Sequence, residues 1–169
     1  MAQEIERKYL INKEKWLALD KPPGQHYRQG YISTDPKRTI RVRLTDTGAY
    51  LTIKGLNPGA TRSEFEYEIP IDDAKELLDK FSVAELSKTR YKINYANHVW
   101  GGDEFLGDNK GLIIAEIALT DEAWQFDIPG WVSDEVKDDK KYYNSNLTTM
   151  PFKTWEGKRR RARCKHSNG

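Results

Sequence analysis

The sequence predicts a mainly β fold with flanking helices: a closed eight-stranded antiparallel β-barrel around a charged tunnel. Three observations lead there. Short segments alternate charged and apolar residues with a period of two, the signature of strands with one face of each kind. Turn strings such as Asp46-Thr47-Gly48 and Asn57-Pro58-Gly59 join consecutive segments as hairpins. The polar faces carry Arg, Lys and Glu in blocks, whereas a solvated face is normally rich in Thr, Ser and Gln. Closing the sheet turns those faces inward around a lumen and leaves the apolar faces to pack under helices.

The first strand, near 3–10, sets Glu4, Glu6 and Lys8 on one face and Arg7 on the other. Strands follow near 25–33, 39–45 and 49–55. In the last two, Arg41 and Arg43 alternate with Ile40, Val42 and Leu44, and Thr52 and Lys54 with Leu51 and Ile53. Near 62–69, Glu64, Glu66 and Glu68 alternate with Phe65, Tyr67 and Ile69. Near 86–95, Lys88, Arg90 and Lys92 face away from Thr89, Tyr91 and Ile93. Strands near 98–106 and 111–119 complete the set, the last holding Glu116. Helices are expected at 12–19, at 72–80 with Asp72 or Asp73 as cap, and briefly near 120–125. Another is expected around 133–140, where Ser133-Asp134-Glu135 puts acids near a helix start. Pro22-Pro23-Gly24, Asp35-Pro36 and Pro129-Gly130 mark loops. Trp100, Trp124, Trp131 and Trp155 are read as packing residues.

At 169 residues the chain is one domain, placed at 1–155, with a tail at 156–169. The formal net charge of +2 hides an asymmetry. Lys153, Lys158, Arg159, Arg160, Arg161, Arg163 and Lys165 face a lone acid, Glu156, so the rest of the chain is acidic. The tail has no hydrophobic periodicity and is read as a disordered or added extension, not a nucleic-acid patch. No apolar run is long enough to span a bilayer. With no secretory pattern at the start, the expected location is cytoplasmic. A single cysteine, Cys164, excludes an internal disulfide and a cysteine-based zinc cluster. His26, His98 and His166 share no ligand spacing.

The charged faces carry two chemistries. Glu4, Glu6, Glu64, Glu66, Asp103 and Glu116 are carboxylates without accompanying His or Cys, a donor set for Mg²⁺ or Mn²⁺. Alternation alone leaves Glu66 and Glu68 as salt-bridge residues. Lys8, Arg41, Arg43, Lys54, Arg62, Lys88 and Arg90 supply cations on several strands. Guanidinium forks match phosphate oxygens and lysines act as point charges, so the charges indicate a polyphosphate ligand. No Gly-rich phosphate loop, catalytic triad order or Cys-His pair is present.

Glu4-x-Glu6-x-Lys8, Arg41-x-Arg43, Thr52-x-Lys54, Arg62-x-Glu64-x-Glu66 and Lys88-x-Arg90 together resemble the ordered motifs of the CYTH domain, the triphosphate tunnel metalloenzyme family. Tyr142-Tyr143-Asn144-Ser145-Asn146-Leu147, preceded by Glu135-Val136, is similar to its closing pattern, so the resemblance runs from about Gln3 to about Phe152. It implies metal-dependent hydrolysis of a triphosphate, most of all inorganic tripolyphosphate, with Mg²⁺ or Mn²⁺, by a monomer or homodimer. By resemblance the metal ligands are Glu4, Glu6, Glu64, Asp103 and Glu116, and the phosphate is held by Lys8, Arg41, Arg43, Lys54, Arg62 and Arg90. Lys88 and Tyr31 position the attacking water. Adenylate cyclase and nucleoside or thiamine triphosphatase activities are the alternatives on the same fold.

Two departures stand out: Gly101 where the family has an acid, and Ala118 where it has a second Glu after Glu116. They open a further alternative, a non-catalytic polyphosphate binder. The string Gly101-Gly102-Asp103-Glu104-Phe105 also spells a diguanylate cyclase signature, but no other element of that family accompanies it.

Overall fold

The computed structural model describes residues 2–56, 61–119, 125–136 and 139–155, with the side chains of 2–4 and 61–62 left aside. Among the described residues nine strands, not the eight expected, run in order: β1 Ala2–Ile11, β2 Gln25–Ser33, β3 Thr39–Leu44, β4 Ala49–Lys54, β5 Thr61–Glu68, β6 Ala84–Tyr95, β7 His98–Phe105, β8 Ile113–Leu119 and β9 Val132–Glu135, the last added on a free edge of β1. Helices are α1 Lys13–Ala18, α2 Ile71–Phe81 and α3 Asn144–Leu147. All the pairings are antiparallel, in the order β5-β4-β3-β2-β6-β7-β8-β1-β9, with a further β1–β5 pairing.

β1 is the pivot of this sheet. One of its edges follows β8 from Ile5↔Leu119 to Leu10↔Ile114. Its other edge is divided, β5 pairing at Ala2 to Ile5 and β9 at Tyr9 and Ile11. Here the helix expected around 133–140 is corrected: Val132–Glu135 is a strand. The unpaired edge at the end of β1 offers backbone partners, and Val136 N–H donates to the Lys8 carbonyl at 2.9 Å. Buried Trp131 and Val132 fix that register, and the acids of 134–135 lie on an extended chain. The helix expected near 120–125 and the tail at 156–169 lie outside the described residues.

The two longer helices pack on the outer face. Asn12 caps α1, its side chain accepting from Lys15 N–H at 3.1 Å, and α1 buries Trp16 completely. α2 begins one residue earlier than expected, with Pro70 at the N-cap position and no side-chain cap, so Asp72 and Asp73, expected as the cap, fall instead in its first turn. Its Ala74 and Leu78 pack against Val42 and Ala49. Gly30 makes that approach possible, since a Cβ there would lie 2.5 Å from Leu78 Cδ2. A second close approach explains Gly102: a Cβ would meet the Trp16 ring at 2.2 Å.

At one end the inner face is not charged. Leu10, Leu86, Phe105 and Ile114 share parity with the charged residues of their strands, and Tyr142, Leu147, Phe152 and Trp155 pack over them. Buried Asn109 clamps this C-terminal segment, donating to the Leu147 carbonyl at 3.2 Å and accepting from Phe152 N–H at 2.9 Å. The returning chain supplies an apolar partner here that water would not. Trp100, Trp131 and Trp155 are buried packing residues, as expected; Trp124 lies outside the described residues.

Candidate active site: a charged cavity on the inner sheet face

Strand register brings the charged residues together row by row. Thr39 pairs with Lys54 and Lys54 with Glu64; Arg41 pairs with Thr52 and Thr52 with Glu66. Across the sheet Arg90 pairs with Asp103, Gly101 with Glu116, and Glu116 with Lys8. A period-two side-chain pattern then points them all inward. The result is a cavity of about 200 Å³ whose walls include Glu6, Lys8, Tyr31, Arg41, Arg43, Lys54, Glu64, Lys88, Arg90 and Glu116. Glu4 and Arg62 are register partners at the β1–β5 seam, and their side chains lie outside the described residues.

One wall is rich in guanidinium. Arg41 is 7% exposed and donates to Thr52 Oγ1 at 3.3 Å. Thr52 in turn donates to Glu66 at 3.0 Å, and Arg43 reaches the same Glu66 oxygen at 3.1 Å. Arg43 lies near the Tyr27 and Tyr50 rings, 5.2 and 5.4 Å from their centres. Burial, with Arg41 beside it, lowers the Arg43 pKa. The Nε atoms of Arg41 and Arg43 are buried without a hydrogen-bond acceptor. Buried donors of this kind call for an acceptor, and an anionic oxygen supplies one.

The opposite wall is an ion-pair chain. Lys88, 1% exposed, donates to Asp103 Oδ2 at 2.8 Å. Arg90 grips the same carboxylate, with Nε 2.7 Å from Oδ1 and Nη2 2.7 Å from Oδ2, and extends to Glu116 at 3.3 Å. Burial would raise the Asp103 pKa, but Arg90 and Lys88 outweigh it and lower it. Burial lowers Lys88 to about 7, only partly countered by Asp103. For Lys8 burial works in the same direction, but Glu6 and Glu116 reverse it and the pKa rises.

These carboxylates bear on metal binding. Glu6, Glu64 and Glu116 line one cavity, with Glu6 3.4 Å from Lys8 and Glu64 3.7 Å from Lys54. Among the described residues no three of His, Cys, Asp and Glu are gathered as a ready cage. Mg²⁺ is usually held by one or two carboxylates together with substrate phosphates and water, and this oxygen-only donor set fits that mode. Asp103, by contrast, sits beneath the wall with both oxygens engaged by Lys88 and Arg90.

The departures have distinct geometries. A Cβ at Gly101 would lie 3.5 Å from Arg90 Nε, an ordinary contact, so the position has room for a side chain. Ala118 is exposed and pairs with Glu6. Sequence reasoning missed Thr39, Tyr143, Asn144 and Ser145 as lining residues. The last three fell in a stretch matched only as a closing pattern. Thr39 sits on the Arg41 and Arg43 face, and alternation alone could have found it. Glu66, read from alternation as a salt-bridge residue, does pair with Arg43, but it does so within the cavity lining.

Comparisons with known proteins bear on the family and the fold. The CYTH domain model matches residues 2–151. An inorganic triphosphatase of Acetivibrio thermocellus is 43% identical over 157 residues, covering 92% of this chain and 99% of that protein. One of Nitrosomonas europaea is 32% identical over 149 residues, covering 85% and 95%. A crystal structure of an inorganic triphosphatase superposes with a TM-score of 0.57 at 28% identity, covering 85% of this chain and 96% of that one. A putative adenylate cyclase from Bacillus halodurans, 19% identical with a TM-score of 0.59 over 72% of this chain and 84% of that one, shares the fold. With its motifs in order, its cations and carboxylates on one inner face and the family model spanning nearly all of it, this chain belongs to the CYTH domain family.

Proposed function

We propose that this protein is a metal-dependent triphosphatase whose preferred substrate is inorganic tripolyphosphate, held in the charged cavity. The carrying observation is the pairing of six lining cations, Lys8, Arg41, Arg43, Lys54, Lys88 and Arg90, with an oxygen-only carboxylate set in one cavity. The names of the two relatives support the substrate. In this reading the β1–β5 pairing closes β1–β8 into a tunnel, and the C-terminal segment covers one end.

Metal dependence is general in the family. Mg²⁺ or Mn²⁺ fits the donors here, with Glu4, Glu6, Glu64 and Glu116 as its holders. Bound there, the ion would neutralise phosphate charge and favour in-line attack of water. Asp103 acts as the anchor of Lys88 and Arg90, a role its three short hydrogen bonds favour over ligation. Arg41, Arg43 and Arg90 align the phosphates and stabilise charge on the transferring phosphoryl group. Lys88 and Tyr31 hold the water, and a Lys88 amine near pKa 7 can exchange a proton at neutral pH. Water adds at the terminal phosphorus, the bridging P–O bond breaks, and pyrophosphate and phosphate leave.

Phosphate release from tripolyphosphate, ATP and thiamine triphosphate, measured side by side with Mg²⁺, Mn²⁺ and EDTA, tests this. Fastest turnover on tripolyphosphate, lost in EDTA, is the expected result; cyclic AMP and pyrophosphate from ATP would establish cyclase chemistry instead. Gly101 and Ala118 favour a second reading, a non-catalytic binder, which requires triphosphate binding in EDTA and no turnover with any metal.

A further inference from the structure

The inner face holds an aromatic residue that neither charge nor motif singles out. Tyr27 lies on β2, paired with Lys88, and is 5% exposed. Three cations that line the main cavity surround its ring: Arg43 at 5.2 Å, Arg90 at 5.6 Å and Lys88 at 5.9 Å from the centroid. The ring also lines a separate small cavity of about 100 Å³, bordered by Pro22, Pro23, Gln25, Tyr27, Arg90 and Lys92. Arg90 borders both cavities, and Tyr27, which borders the small one, packs behind three cations of the main cavity, so the two side chains form the wall between them.

The wall is stiff. Pro22 and Pro23 restrict the loop, and Gly24 is pressed so close to β6 that a Cβ would lie 2.5 Å from Thr89 Cγ2. Beyond the wall, Lys92 is exposed, and it makes no ion pair among the described residues. It continues the inward parity of Lys88 and Arg90, so the cationic row runs past Arg90 along β6 to the small cavity that Tyr27 also borders.

We propose that Tyr27 is the residue that limits chain length, stopping a linear polyphosphate at its terminal phosphoryl group. The proposal rests on the cavity being a triphosphate site. A terminal phosphoryl group carries more charge than an internal one, and Arg43, Lys88 and Arg90 clustered about one ring suit that end. The ring gives these cations a negatively polarised partner without an ionised group. The same ring turns a repulsive face to any phosphate pushed further along. With Tyr27 removed, the two cavities join and Lys92 becomes the contact for one more phosphoryl unit.

The test is calorimetric binding and hydrolysis of tripolyphosphate and linear tetrapolyphosphate by the full chain and by Tyr27→Phe, Tyr27→Leu, Tyr27→Ala and Tyr27→Ala/Lys92→Met. The natural protein should prefer tripolyphosphate by about tenfold or more, and Tyr27→Phe should keep that ratio. Tyr27→Ala and Tyr27→Leu should reduce it severalfold by gaining tetrapolyphosphate affinity, and Lys92→Met should reverse the gain. Equal binding of the two chains by the natural protein overturns the proposal without recourse to a variant. So does an unchanged ratio in Tyr27→Leu or Tyr27→Ala while tripolyphosphate is still bound and cleaved. Failure to bind either chain would instead remove the triphosphate reading itself.

Discussion

Arg90 and Asp103 face each other across β6 and β7 as register partners and close a two-point ion pair, both contacts at 2.7 Å. Asp103 is 1% exposed, and it also takes Lys88 at 2.8 Å. A single carboxylate therefore orients two of the cations offered to a substrate. An anion arriving in the cavity would add to this pairing without having to create it.

Asp103→Asn should show that dependence. Removing one partner of a buried pair typically costs about 3–5 kcal/mol, because the remaining charges lose their counter-ion. Denaturant unfolding of the empty protein should register a loss of that order, and hydrolysis should fall with it. Tripolyphosphate without metal should raise the melting temperature more in Asp103→Asn than in the natural protein, since it restores negative charge beside Lys88 and Arg90. Equal ligand shifts would remove Asp103 from this role.

Lys88 sets a pH dependence. Its folded pKa, about 7, lies below the ordinary value of 10.5. Between these values the unfolded chain holds the proton more fully, so the contribution of Lys88 to stability rises with pH. Below about pH 7 its cost is fully present; approaching 10.5 it is relieved. Melts from pH 7 to 10 should therefore slope more steeply upward in the natural protein than in Lys88→Met. Parallel slopes would contradict a depressed Lys88 pKa.

Adjacent glycines should respond in opposite directions. Gly101→Ala meets only ordinary contacts and relieves the entropic cost of glycine in a strand, so it should be neutral or stabilising by up to ~1 kcal/mol. Gly102→Ala drives a methyl group into Trp16, and overpacking of this kind costs about 1–3 kcal/mol. Chemical denaturation of the two variants checks the contrast.

Ala118→Glu places a carboxylate opposite Glu6 at an exposed position. The metal concentration giving half-maximal hydrolysis should fall, on the order of tenfold, the scale of single changes around a metal. Glu6→Ala should move it the other way. If both variants are silent, this face does not hold the metal.

Much of this site was legible because a strand has a period of two. Arg41, Lys54, Glu64, Lys88 and Glu116 could be assigned to one face before their pairing was known, and the register joins them. What alternation cannot convey is which strand meets which, so β9 was read from its acids as a helix start. The open edge of β1 that recruits it lies more than a hundred residues away in sequence. Nor does alternation distinguish a carboxylate facing the cavity from one beneath its wall, as with Asp103. Tyr27 shares the inner face but, as an aromatic residue, reads as core. The apolar end of that face depends on the returning C-terminal segment, a long-range contact with no local signal.

The most direct measurement is a crystal structure of the protein grown with tripolyphosphate and no added metal. Phosphate oxygens should lie within hydrogen-bond reach, about 2.7–3.2 Å, of Arg41, Arg43, Lys88 and Arg90, with Lys54 at the cavity wall beside them. Tripolyphosphate found only on the outer surface or along the basic tail, with water alone between Arg41 and Arg90, would contradict the assignment of this cavity as the active site.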